Sequence, residues 1–269
     1  MKDLTVMSTV SRRTSILEKL NELGQVDVNK LSEEFGVSEV TIRNDLGRLE
    51  GKNLLIKVRG GAIKVDRVGT DFALSDKNKY YSEEKESIGR VAAGLIEEGD
   101  TIILDSGTTT MEVARSLSGF QNLTVITNAL NVAEVLADFK GVNVIVPGGL
   151  LRKNSLSLVG AAAEDSFRGY FCDKLFLAVD GFSAVHGLST PNVEEAHLNR
   201  VMISISKKVI VVTDSSKFQK RSFAFIASVS EIDTVVTDNG IDEEERKKLE
   251  NVGVEVIVCP GASRMASVK

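Results

Sequence analysis

The chain has 269 residues, 42% of them hydrophobic, and a formal net charge of −5. That length fits about two domains, and the apolar fraction supports a sizeable core. No apolar run is long enough to span a bilayer and no secretory apolar stretch opens the chain, so a cytoplasmic protein is expected.

The first predicted element is a helix over 12–23, with Ile16, Leu17, Leu20 and Leu23 at three-to-four spacing and Gly24 as its stop. A second helix follows from Val28 to Phe35, its buried stripe formed by Val28, Leu31 and Phe35. Gly36 supplies a turn, Val37 plugs the angle, and Ser38 caps a third helix that begins at Glu39. Val40, Ile42, Leu46 and Leu49 include the core positions of that helix. Glu39, Thr41, Arg43, Asn44 and Arg48 are left for other work. This is the layout of a helix-turn-helix, whose second helix enters the major groove. Arg donates two hydrogen bonds to guanine and Asn does the same to adenine, while some of these side chains grip phosphate instead. After Gly51, residues 54–58 predict a strand, Arg59-Gly60-Gly61 a hairpin tip, and Ala62-Ile63-Lys64 the return. A basic strand-turn-strand here is a wing, with Lys57, Arg59 and Lys64 placed to hold phosphates. The bland alternative is a three-helix packing module with solvated charges. The order of turn, cap, polar face and basic wing favours duplex DNA.

The charge divides unevenly. Residues 1–67 hold 12 Lys/Arg and 10 Asp/Glu, a balance of +2, which leaves −7 for the remainder. A mildly basic head on an acidic body fits a DNA-reading module that needs more than one copy for tight binding, and a homo-oligomer, dimer or tetramer, is expected. The domain expectation is a winged helix-turn-helix over 1–63, a polar linker over 64–79, and an α/β domain over 80–269.

A helix is predicted from Tyr81 to Glu98. Apolar strands then alternate with helices: TIILDS, TTMEVARSL, LTVITN, ALNVAEVLADF, VNVIVPGG, AAAEDSFRGY, KLFLAVDG, a helix from Glu194 to about Ser206, KVIVVTDSS, DTVVTD, DEEERKKLENVG and VEVIVC. This predicts a mostly parallel sheet covered on both faces. Ligands bind such sheets beyond the carboxyl ends of the strands. Asp105-Ser106-Gly107-Thr108-Thr109-Thr110 follows a strand and opens a helix, where free N–H groups and hydroxyls suit an anion. The competing reading is a capped helix start with nothing bound. Other strand ends offer Thr127-Asn128, Gly148-Gly149, Asp180-Gly181 and Asp214 to Lys217. Asp180 suits sugar hydroxyls and Lys217 a phosphate, with Arg152 and Lys153 as alternatives for the latter. The stretch GLSTPNVEEAHLN is expected to be a lid or pocket edge, with Glu194 or Glu195 as a hydroxyl or amine partner. The candidate effector set is Asp105, Ser106, Gly107, Thr108, Thr109, Thr110, Asn128, Gly148, Gly149, Asp180, Glu194 and Lys217.

Metal and nucleophilic chemistry find no support. His186 and His197 are the only histidines and lack a zinc-ligand pattern, and no GxSxG elbow occurs. Cys172 and Cys259 read as buried thiols. Neither GxGxxG after the first strand nor GxxxxGK[ST] is present, which argues against a nucleotide sensor. No cofactor is expected.

VSEVTIRNDLGRLEGKNLLIKVRGGA resembles the N-terminal signature of DeoR-type bacterial repressors of sugar catabolism, and DSGTTT and TDSSKF carry the resemblance through the body. It implies operator DNA as one partner and a phosphorylated sugar, of an amino-sugar or related class, as effector. It also implies a sensor fold similar to ribose-5-phosphate isomerase, with the SGTTT loop on the phosphate. Isomerases of that type use paired acids and a lysine. Asp180 matches one acid, but Ser183 stands where the second is expected, and no lysine occurs between Gly181 and Arg200. Binding without turnover is therefore expected, over an isomerase-like enzyme with an appended head.

Overall fold

The computed structural model describes residues 8–52, 54–58, 60–64, 71–78 and 80–260. The chain divides into two compact units, Met1–Thr70 and Asp71–Lys269. Arg59 lies outside the described residues, and so do the side chains of Ile63 and Lys64.

The first unit holds α1 (Thr9–Leu23), β1 (Gln25–Asp27), α2 (Val28–Phe35), α3 (Glu39–Glu50), β2 (Leu55–Val58) and β3 (Gly61–Lys64). Helix α1 starts earlier than its apolar spacing suggests because the Ser8 side chain accepts from the Ser11 N–H and caps it. Ile16, Leu17 and Leu20 are buried, but Leu23 is 67% exposed. The stripe ends at Leu20, where the N–H of left-handed Gly24 bonds back to the Leu20 carbonyl and turns the chain away. Phe35 is only half-buried. Val40, expected in the core, is 62% exposed. It lies about 200° around α3 from Ile42, which shares the inner face with Leu46 and Leu49. The turn between α2 and α3 is fixed by left-handed Gly36 and by the Ser32 hydroxyl, which donates to the Val37 carbonyl at 2.6 Å. Strand β1 joins the wing to make an antiparallel sheet in the order β1-β3-β2. Gly61 is required there: a Cβ would stand 2.0 Å from the Val26 carbonyl oxygen.

The second unit contains α4 (Leu74–Lys77), α5 (Ser82–Ala93), β4 (Thr101–Leu104), α6 (Thr108–Arg115), β5 (Leu123–Thr127), α7 (Leu130–Leu136), β6 (Val142–Ile145), β7 (Leu150–Arg152), β8 (Ser157–Val159), α8 (Ala161–Phe167) and β9 (Cys172–Leu177). It continues with β10 (Gly181–Ser183), β11 (Gly187–Thr190), α9 (Val193–Ser204), β12 (Ser206–Val212), β13 (Ala224–Ala227), β14 (Thr234–Thr237), α10 (Glu243–Asn251) and β15 (Glu255–Val258). Seven strands form one sheet in the order β15-β14-β12-β9-β4-β5-β6, and every pairing in it is parallel. Alternate residues feed opposite cores. Ile103, Leu175, Leu177 and Val211 pack on one side, and Ile102, Leu104, Phe176 and Val212 on the other. Burial on both faces is why these strands read as continuous apolar runs.

Two smaller sheets were not expected. Strands β7 and β8 make a hairpin, and β10, β11 and β13 form an antiparallel sheet. The stretch expected to be a lid or pocket edge contains β11, whose four residues are all buried at the centre of that sheet. It is no cover, but its Thr190, Glu195 and Asn199 do form a pocket edge. Helix α5 stops at Ala93, short of the expected Glu98.

Candidate functional site

In the first unit the polar residues of α3 fall on its open side. Arg43, Asn44 and Arg48 are exposed, and Thr41 and Glu39 are partly so. Ser38 caps the helix, accepting from the Thr41 N–H at 3.2 Å, and the two hydroxyls lie 2.9 Å apart. Arg43 donates to Glu39 at 2.6 Å, one turn back along the surface. Lys57 in the wing is exposed, and its backbone N–H donates to the Glu50 carboxylate at 3.0 Å. The seven described candidates thus belong to α3, its cap and the adjoining strand β2.

Asp45 escaped the sequence reading. It is 2% exposed, and its two oxygens each accept a 2.6 Å bond, from Arg12 and from Arg13 of α1. The pair ties α3 to α1.

In the second unit, strand order reverses between β4 and β9: β5 and β6 continue on one side, and β12, β14 and β15 on the other. Such a switch point leaves a crevice beyond the strand ends. Asp105 to Thr109 follow β4, Ala178 to Asp180 follow β9, and Thr213 to Lys217 follow β12; all three segments line one cavity there. It encloses about 570 Å³, open solvent at its mouth included. Gly107 is needed at the loop because a Cβ would approach Ala178 Cβ to 2.7 Å.

Seven of the twelve effector candidates line this cavity: Asp105, Ser106, Gly107, Thr108, Thr109, Asp180 and Lys217. Five do not. Thr110 is fully buried and donates to the Gly107 carbonyl at 3.1 Å, which makes it part of the helix start. Asn128 is buried against the β7–β8 hairpin, its amide 3.4 Å from the Leu158 carbonyl. Gly148 and Gly149 are exposed in the turn entering that hairpin. Glu194 is exposed, whereas its neighbour Glu195 is buried and faces the cavity. One helical step of about 100° separates the two. Of the alternatives, Lys153 is exposed and Arg152 is held by Asp71 and Glu195.

The cavity also holds Lys77, which the sequence did not single out, and Thr190 and Asn199 from the stretch expected to be a lid or pocket edge. Lys77 comes from the stretch expected to be linker, and its ammonium stands 2.5 Å from Asp180. Burial disfavours charge on both groups, yet their attraction outweighs it: the Lys77 pKa is raised and that of Asp180 lowered. Asp105 goes the other way. Burial, then the Glu195 carboxylate, pushes it up to about 8 against hydrogen bonds from Ser106, Asn199 and Ala178. Burial lowers Lys85 to about 8; its ammonium donates to the carbonyls of Lys77 and Tyr80, each at 2.6 Å. At Ser183 the hydroxyl accepts from the N–H groups of Val185 and His186 and shapes a turn. Among the described residues no group of His, Cys, Asp and Glu could hold a metal ion, and no helix is long and apolar enough to cross a membrane.

A winged helix-turn-helix followed by a sheet with a polar crevice at its switch point defines a DNA-binding regulator with a sensor domain. Residues 12–68 match the DeoR-like helix-turn-helix domain and residues 81–239 the DeoR C terminal sensor domain. The chain belongs to the DeoR family of transcriptional regulators, DNA-binding proteins and not enzymes. It is 41% identical to a protein of Escherichia coli O157:H7 named for transcriptional repression of the aga operon, across 94% of this chain and 95% of the relative. It is 36% identical to the transcriptional repressor GlcR of Bacillus subtilis, across 92% and 95%. Among solved structures, ribose 5-phosphate isomerase A of Methanocaldococcus jannaschii aligns at 14% identity and a TM-score of 0.39, over 51% of this chain and 55% of that one. Likeness at that level says nothing of chemistry.

Proposed function

We propose that this regulator represses an amino-sugar or related catabolic operon and is relieved by a phosphorylated sugar in the switch-point cavity. The supporting observation is the meeting of the Ser106–Thr109 loop, Lys217 and Asp180 in one crevice. Backbone N–H groups at the start of α6, the Ser and Thr hydroxyls and Lys217 suit the phosphate. Asp180, Glu195, Thr190 and Asn199 suit hydroxyl or amine groups. The amino-sugar class rests on the aga relative. A mildly basic head calls for a homo-oligomer, a dimer or tetramer, on a symmetric operator. The test is a gel shift on the promoter of the chain's own operon, titrated with galactosamine 6-phosphate and related sugar phosphates. Release of DNA supports the reading; indifference to every sugar phosphate refutes it.

Thr109→Ala is expected to leave DNA binding intact and to raise the effector concentration needed for release about tenfold, roughly the loss of one hydrogen bond to a charged group. Unfolding of the sensor unit in this variant would reassign the loop to structure. On the other unit, Arg43→Ala is expected to weaken operator binding by about 1–3 kcal/mol if its guanidinium reads a base edge. Fluorescence anisotropy at fixed salt measures this, and unchanged affinity would remove Arg43 from the contact set.

A further inference from the structure

Residues 71–78 continue the chain directly from the DNA-binding unit, which ends at Thr70. They lie against the cavity, held at three places. Asp71 bonds to Arg152 and to Asn154, the latter at 2.9 Å. The Leu74 N–H donates to the Asn154 carbonyl at 2.8 Å. Lys77 reaches Asp180 inside the cavity while Lys85 holds the Lys77 carbonyl. Leu74 and Lys77 are themselves part of the lining.

We propose that residues 71–78 form a displaceable strap, and that Lys77 competes with the effector for Asp180. The inference rests on the reading of the cavity as a sugar-phosphate site. The place of Lys77 supports it. Its ammonium stands 2.5 Å from Asp180 and is attracted also by the carboxylates of Glu195 and Asp71. A sugar hydroxyl or amine that bonds to Asp180 must take the position this ammonium holds. The Lys77 and Asp180 side chains are 22% and 20% exposed, so the pair is open to exchange. Among the described residues one oxygen of Asp71 is buried without a hydrogen-bond partner, which leaves the docked strap incompletely satisfied. A ligand that binds only where the strap is undocked shifts the population toward the undocked form by its differential affinity. The strap is continuous in sequence with the DNA-binding unit, which ends at Thr70.

The test uses the full chain, with isothermal titration and hydrogen exchange, and galactosamine 6-phosphate, glucosamine 6-phosphate and ribose 5-phosphate as probes. Binding to the wild-type protein is expected to speed amide exchange over residues 74–78. Lys77→Gln is expected to bind the same probe about tenfold tighter, with exchange over the strap already fast before ligand is added. Asp71→Asn, which loosens the strap from outside the cavity, is expected to shift affinity in the same direction by a smaller factor. Weaker binding by Lys77→Gln with Asp71→Asn unchanged would make Lys77 an ordinary effector ligand and overturn the strap. Wild-type binding without faster exchange would also overturn it. Failure of all three probes to bind the wild-type protein would instead remove the sugar-phosphate reading, and the strap with it.

Discussion

Replacing Asp45 with alanine is expected to melt the DNA-binding unit and abolish operator binding while the sensor unit keeps its own transition. The carboxylate is 2% exposed and accepts one 2.6 Å bond from each of two arginines. The Arg12 side chain is itself only 7% exposed, so removing the carboxylate takes away a charged partner from a buried guanidinium. Breaking a buried pair costs at most about 3–5 kcal/mol. A unit of this size has roughly that much stability in total. The Arg13 side chain is 32% exposed and adds less, because water screens it. Asp45→Asn keeps an acceptor without the charge and is expected to fall between the variant and the wild type. Scanning calorimetry of the full chain, which reads the two units as separate transitions, is the measurement. An unshifted first transition with full operator affinity would reduce the pair to the value of a surface contact.

The same residue shows where sequence reading stops. Helices α1 to α3 were legible because Ile16, Leu20, Leu31, Ile42 and Leu46 repeat at helical spacing and Gly24, Gly36 and Ser38 punctuate them. An aspartate in the middle of α3 looks the same in sequence whether it faces water or a pair of arginines. The parallel sheet was legible because both its faces are covered, so each strand is an unbroken apolar run. Strands β1, β10 and β11 have only three or four residues, too few to display a period. The cavity loops announced themselves by position, at strand ends with small polar residues. Lys77 gave no such signal, since its partner Asp180 is far along the chain and the residues around it are polar and weakly patterned. The choice between Glu194 and Glu195 turned on the phase of α9, whose N-cap at Asn192 directs Glu195 inward.

Asp105→Asn is expected to stabilise the sensor unit at neutral pH and to flatten its dependence on pH. Burial comes first among the causes that hold the Asp105 pKa at about 8, with repulsion from Glu195 second. In the unfolded chain the group titrates near its ordinary value of 3.8. Below that value both states carry the proton. Between it and about 8 only the folded state does, so stability falls steadily as pH rises through the window and the loss is complete above it. Each unit of difference corresponds to about 1.4 kcal/mol, so at pH 7 the wild-type group forfeits on the order of a few kcal/mol relative to a neutral isostere. Asparagine supplies that isostere. It is neutral like the protonated acid, and its amide oxygen accepts from the donors at Ser106, Ala178 and Asn199. Denaturant melts at pH 5, 7 and 8.5 are therefore expected to spread for the wild-type sensor and to lie closer together for the variant, in which Lys85 still titrates near 8. Such an acid, kept neutral at the mouth of the α6 loop, also spares a bound phosphate one nearby negative charge. Effector affinity in the wild type is accordingly expected to weaken between pH 7 and 9 as Asp105 ionises, and the variant is expected to hold its affinity over the same range. Parallel pH curves for the two proteins would mean that Asp105 is ionised throughout, with the neighbouring N–H groups outweighing burial.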